Sequence, residues 1–268
     1  MKDLFKIATG SVIGREHQRL GKNNQDAYYL LSNEDYTIAV VCDGCGSGSN
    51  SEVGAKIGAK LVVETIATHL KYGLDQPNFW DNIRLNLLSQ FETFVNILSQ
   101  ENERKEFIYN YFLFTIVGVI ITPNKTVIFA IGDGVIFVNE TQFLIETFAN
   151  NAPPYLAYGL CNYPELSQFK IYHELDTNKV ESILIGTDGV KDLILAENRN
   201  FPGKSENIGH ISQFWQNDNY FRNPDLIRRK LSLINREIIK PDWLNQTLQK
   251  DVGLLLDDTT FIVIKRKD

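Results

Sequence analysis

An α+β layered domain is the fold this chain predicts, and three observations carry the prediction. Apolar runs that end in turn residues recur along the whole length, as short buried strands do. Two long segments carry helical periodicity instead. Strands and helices also come in blocks, with hairpin-like pairs among the strands, and not in strict βαβ alternation.

Taken in order, residues 4–13 and 27–31 read as short strands joined by a polar loop, Arg15 to Gln25. The next run, Ile38 to Cys42, is continuously apolar and ends in Asp43, then Gly44, Gly46 and Gly48. It reads as a buried strand running into backbone that can approach another group closely. Ser49 and Glu52 have capping-box spacing, so a helix is expected to begin near Asn50. That helix runs from Ser51 to Tyr72, with Val53, Ile57, Leu61, Ile66 and Leu70 as its stripe. Its small residues Gly54, Ala55, Gly58 and Ala59 let it lie close to a sheet. A second helix carries Trp80, Ile83, Leu87, Phe91, Phe94, Val95 and Leu98 on one face. The charged run Glu101 to Glu106 reads as a solvated turn. Strands follow at 111–122, 126–132 and 135–139, turned at Pro123-Asn124 and Asp133-Gly134, with others near 143–147, 168–173 and 180–187.

Residues 195–223 are rich in Asn, Gly and aromatics without a period, and read as a long surface excursion. Phe201, Phe214, Trp215, Tyr220 and Phe221 suit a flap that meets a ligand, or equally a loop against a sheet rim. The segment Asn151 to Tyr155 could fill the flap role too. Helical spacing returns over 225–239 with Ile227, Leu231, Ile234 and Ile238, and Phe261 to Ile264 closes the chain as a strand. No repeat or linker divides residues 1–268, so one domain is expected.

Composition excludes several classes. The formal net charge of −6 argues against binding nucleic acid or acidic membrane surfaces. Three cysteines, Cys42, Cys45 and Cys161, give no disulfide framework and point to a reducing compartment. The first residues show no signal-peptide pattern, and the most apolar segment, Tyr111 to Ile121, is too short to span a bilayer. A cytoplasmic protein is expected.

The central clue is a device used three times. Apolar strands deliver an Asp-Gly at their tips at Asp43-Gly44, Asp133-Gly134 and Asp188-Gly189. If these tips meet near Asp257, several carboxylates face one another. Two like charges ~4 Å apart repel by about 4 kcal/mol at an effective dielectric of 20, a large share of a typical domain's ~5–15 kcal/mol stability. The acids must protonate, stay apart or share a cation, and oxygen ligands select hard ions such as Mg²⁺ or Mn²⁺. Each residue also has a plainer reading: Asp133 as a hairpin turn, His17 as a solvated loop histidine, Asp43 as a strand-end acid. Cys42-Asp43-Gly44-Cys45 spells C-x-x-C, yet an acid between the thiols raises their pKa and only one further cysteine remains for zinc. Gly44, Gly46 and Gly48 miss the G-x-G-x-x-G spacing of a dinucleotide loop, and no GK[ST] follows.

The motifs NNQDA (23–27), VCDGCGSGSNSEVGA (41–55), FAIGDG (129–134), LIGTDGVKDL (184–193) and DDTTFIVI (257–264) together resemble the metal-dependent type 2C serine/threonine protein phosphatases. The wording is closest to a divergent bacterial branch. The resemblance implies a four-layer αββα sandwich, two antiparallel β-sheets flanked by helices, with two Mn²⁺ or Mg²⁺ ions at one edge. It implies that Asp43 bridges both ions, that Gly44 gives its carbonyl to one, and that Asp188 and Asp257 complete the other. Asp133 would help Asp188 hold a weaker third ion, and Asp26 would orient metal-bound water. The implied activity is hydrolysis of phosphoserine and phosphothreonine in a phosphorylated protein by a metal-bridging hydroxide, with a serine/threonine kinase as counterpart. Departures from the pattern leave a pseudophosphatase binding module as the alternative. The usual phosphate-holding Arg is Gly21 here, with Arg15, His17, Arg19 and Lys22 as substitutes and His17 favoured. The acid before Asp26 is Gln25, Cys45 replaces the His of eukaryotic members, and Asp258 replaces a common Asn.

Overall fold

The computed structural model describes residues 1–145, 148, 152–161 and 163–267. Its first half runs β1 (Phe5–Val12), α1 (Arg15–Leu20), β2 (Asp26–Ser32), β3 (Thr37–Asp43), α2 (Ser51–Leu70), α3 (Phe79–Leu98), α4 (Arg104–Tyr111), β4 (Ile116–Ile121) and β5 (Lys125–Ile131). The second half runs β6 (Val135–Val138), β7 (Thr141–Phe143), β8 (Lys170–Asp176), β9 (Ser182–Gly186), α5 (Val190–Leu195), α6 (Gln213–Gln216), α7 (Asn219–Arg222), α8 (Leu226–Ile234), β10 (Ile238–Asp242), β11 (Thr247–Asp251) and β12 (Thr259–Arg266). Two five-stranded sheets, ordered β1-β12-β9-β6-β7 and β2-β3-β4-β5-β8, are antiparallel throughout.

Side-chain alternation sets the layers. Along β3, Ile38, Val40 and Cys42 face α2 and α3, whereas Ala39 and Val41 join Ile185, Ile262 and Ile264 between the sheets. On the second sheet, Leu184, Phe261 and Val263 face outward and are covered by α5 to α8. The expected four-layer α+β sandwich is the fold observed. No helix among the described residues is long and apolar enough to cross a membrane.

Several local expectations change. The polar stretch after Arg15 is a helix, not a loop. It stops at Gly21, whose φ of 67° and bond to Gln18 O, with Lys22 N–H on His17 O, make a left-handed cap. The Ser49–Glu52 capping box does not form: Ser49 Oγ bonds Asn110 and Glu52 takes Asn23. On α2 the small residues form the close-packed face, as expected, but the apolar stripe does not all join it. A Cβ on Gly54 would lie 1.5 Å from Tyr111 O, and one on Gly58 2.1 Å from the Phe114 ring, whereas Val53 is exposed. Glu101 to Glu106 begins a short 3₁₀ turn and then α4, so the strand expected from 111 starts only at Ile116. The 225–239 helix ends at Ile234 because a hairpin, β10–β11, follows. The strand expected at 143–147 covers only Thr141–Phe143, and residues 146 and 147 lie outside the described residues, as does Asn151 of the other flap candidate.

The excursion 195–223 is not a free flap. Phe201, Phe214, Trp215 and Tyr220 are buried in the layer outside β12 and β6. The Phe214 ring meets Phe261 edge-on at 4.9 Å and Tyr220 at 5.0 Å. Phe214→Ala is therefore expected to lower unfolding stability by about 3–5 kcal/mol, measured by chemical denaturation. A change within ~0.5 kcal/mol, the scale of a surface substitution, would reinstate the flap.

Candidate metal centre

The acids come together because strand parity aims them into the gap between the sheets. Asp26 opens β2 and Asp43 closes β3, and the two are direct cross-strand partners. Ala27 and Cys42 beside them face the helices, so both carboxyls turn to the inter-sheet side. Thr115 N–H donates to Asp43 O at 2.8 Å, and Gly44 N–H to Gln25 O at 3.2 Å. Gly44 must be glycine, since a Cβ there would lie 2.8 Å from Gln25 O and 3.0 Å from Ser51.

From the other sheet, β9 runs through Thr187 into Asp188, and Asp257-Asp258 lead into β12. These two turns lie against each other: a Cβ on Gly189 would fall 2.0 Å from Asp258 O. Asp133 occupies the turn between β5 and β6, where Gly132 and Gly134 hold φ of 93° and 152°. Asp43, Gly44, Asp133, Asp188, Asp257 and His17 line one cavity of about 250 Å³. Asp26 stands behind them, with Oδ2 accepting from Thr187 Oγ at 2.8 Å and Oδ1 buried without a partner among the described residues.

The electrostatics follow from that crowding. Burial, then Asp258, lifts the Asp26 carboxyl well above its ordinary range. Burial, then Asp26 and Asp188, does the same to Asp43. Asp188 is raised by burial, Asp133 and Asp257. Asp257 stays open to solvent and is raised chiefly by the partial desolvation of the cavity, which the Asp258 N–H opposes. Asp258 is a different kind of acid, accepting Gly14 N–H at 2.6 Å and Gln25 N–H at 2.5 Å, with His17 Nδ1 2.9 Å away. It ties the start of α1 and of β2 to the Asp257 turn. A neutral Asn has one acceptor oxygen, so a carboxylate serves these converging donors better.

Of the four candidate cations at the Gly21 position, His17 alone lines the cavity. Arg15 is spent on Glu16 and Gly253 O, Arg19 on Glu16, and Lys22 Nζ donates to Gly46 O at 2.8 Å. Gly21 could not host an arginine without left-handed strain. Burial would push the Cys45 thiol up, but hydrogen bonds with Ser47 and Tyr155 outweigh it and leave it below its ordinary value. Cys42 is pushed up by burial, Asp26 and Asp43, and all three cysteines are free, against a redox pair. Sequence reading missed Asp192, whose Oδ2 accepts Leu256 N–H at 2.7 Å and Asp257 N–H at 3.3 Å and so holds the Asp257 turn. The only signal was its place four residues after Asp188.

The chemistry of these donors suits a divalent ion, and among the described residues ligand atoms of His17, Asp257 and Asp258 lie within 4.8 Å of one another. The cavity offers carboxylates that repel when ionised and oxygens left unpaired on burial, Asp188 Oδ1 and Gln25 Oε1. The donors are oxygens, which suit Mg²⁺ or Mn²⁺.

Comparison with known proteins bears on the family and the fold. A family profile described as Protein phosphatase 2C matches residues 13–219, most of the chain but short of Asp257. A search against curated proteins returns no match. Among solved structures, Serine/threonine phosphatase Stp1 from Staphylococcus aureus superposes with a TM-score of 0.53 at 13% identity, covering 99% of this chain and 96% of its own. The catalytic domain of the serine/threonine protein phosphatase PstP, solved with two manganese ions, gives 0.51 at 14%, covering 99% of each chain. A bacterial serine phosphatase gives 0.51 at 15%, covering 97% of each. At such identities the superpositions speak for the fold.

Proposed function

The chain belongs to the protein phosphatase 2C family, and from that premise we propose that it hydrolyses phosphoserine and phosphothreonine in protein substrates with divalent metal ions. The observation that carries the reading is one cavity lined by Asp43, Asp133, Asp188 and Asp257, acids from four separate segments. Asp43, Asp188 and Asp257, with the Gly44 carbonyl, would hold two Mn²⁺ or Mg²⁺ ions. Bound ions supply an activated water for in-line attack on phosphorus and offset the charge of the phosphoryl oxygens. Asp26, fixed by Thr187, keeps Oδ1 available to orient a polar group entering from the cavity. His17, held beside Asp258, is the contact for a phosphoryl oxygen. The substrate is a phosphorylated protein made by a serine/threonine kinase, and the net charge of −6 disfavours nucleic acid and acidic membranes as partners. The cytoplasm is the compartment this reading assigns.

The test is phosphate release from a phosphoserine peptide with Mn²⁺, with and without a chelator. Turnover should need the metal, and His17→Ala should raise KM about tenfold, the scale of one charge-assisted contact. Turnover that survives chelation overturns the mechanism. Bound Mn²⁺ without turnover on any phosphopeptide assigns the chain a binding role instead.

A further inference from the structure

We infer that Lys191 supplies the third cationic group of this centre, so that the site loads two divalent ions and not three. The inference rests on the reading of Asp43, Asp188 and Asp257 as metal ligands. Lys191 lies in the first turn of α5, three residues after Asp188. Its Nζ is 3.5 Å from Asp133 Oδ2 and 3.9 Å from Asp188 Oδ2. Asp133 is only 7% exposed, in a turn whose glycines fix its place. A carboxylate so buried requires a compensating donor or cation. Among the described residues, Lys191 is the one side chain bonded to it.

The other acids differ. Neither Asp43 nor Asp257 has a Lys or Arg at ion-pair distance among the described residues, so their charge is left for ions to balance. Around Asp133 the balance already exists. An ion that sought Asp133 and Asp188 together would have to displace an ammonium tethered a few residues away. A short tether gives that ammonium an effective concentration in the millimolar range or above. The ammonium also repels an incoming cation at close range, which disfavours a third ion against the two in the cavity. Lys191 would thus hold Asp133 in place and leave Asp188 facing the two-ion cavity.

The experiment counts Mn²⁺ ions bound to the metal-stripped full chain by titration calorimetry. Wild-type protein should bind two. Lys191→Met should uncover a third, weaker ion, and adding Asp133→Asn should remove it. Lys191→Arg, which keeps the charge, should hold the count at two. A third ion bound alike by wild type and Lys191→Met, or none in Lys191→Met, overturns the inference. Wild type that binds no ion, or ions retained in full by Asp43→Asn, overturns the ligand assignment, and the inference falls with it. That result is distinguishable from three ions in the wild type.

Discussion

Asp43→Asn is expected to cut kcat/KM for a phosphoserine peptide by about a thousandfold or more, while making the metal-free chain more stable. The first effect is removal of the carboxylate assigned to both ions. A thousandfold corresponds to about 4 kcal/mol of transition-state stabilisation, within the several kcal/mol that metal ions supply to a phosphoryl centre. The second effect has the opposite sign because Asp43 opposes folding without metal. It is half-buried, faces Asp26 across the strand pair, and the charges of Asp26 and Asp188 both oppose its ionisation. An amide of the same shape carries no charge and can donate to Asp188. A gain of about 1 kcal/mol would raise Tm by roughly 2–4 °C for a domain of this size. A strand-end turn acid would show neither effect. Activity within a few-fold of wild type, or a lower Tm for the metal-free variant, would remove Asp43 from the centre.

Why Asp43 was legible while its setting was not is a matter of which forces are local. An apolar run, an acid and a glycine are consecutive at Asp43, Asp133 and Asp188, and strand parity then decides where the side chain points. His17 was nameable only by position, because the six residues of α1 bury nothing and so show no periodicity. On α2 the small residues Gly54, Ala55, Gly58 and Ala59 are legible as a close-packing face, whereas Val53, at the start of the apolar stripe, is exposed because that small face takes the contact. Residues 195–223 hide their role because α6 and α7 have four residues each, too few for a period, and their burial depends on the distant strand β12. The hairpin β10–β11 shows no apolar alternation because most of its side chains are exposed, and Pro241 is a residue that disfavours a strand interior. Asp192 and Lys191 act through contacts that only the folded turns create.

Without divalent ions the chain is expected to be more stable at pH 5 than at pH 7, and Mn²⁺ should reverse that order. Asp26, Asp43, Asp188 and Asp257 all have folded pKa values above the ordinary 3.8, with desolvation the largest cause for each. Between 3.8 and those raised values the folded chain holds more protons than the unfolded chain. Stability therefore falls as pH rises through that window and is recovered as pH falls toward 3.8. Asp218, beside Lys265 and Lys6, and Asp225, beside Arg228 and Arg229, are depressed to about 2 and work the other way. Their contribution is complete above 3.8 and is lost only at lower pH, so it does not cancel the effect between pH 5 and 7. Mn²⁺ binds the ionised carboxylates and displaces their protons, so it stabilises most where the metal-free chain is weakest. At a thousand times Kd an ion adds about 4 kcal/mol, or roughly 8–16 °C in Tm at 2–4 °C per kcal/mol. Differential scanning calorimetry at pH 5, 6 and 7, with chelator or with Mn²⁺, reads both slopes. Chelated protein that gains stability from pH 5 to 7, or a Mn²⁺ shift no larger at pH 7 than at pH 5, would mean that these four acids are not the groups the ions neutralise.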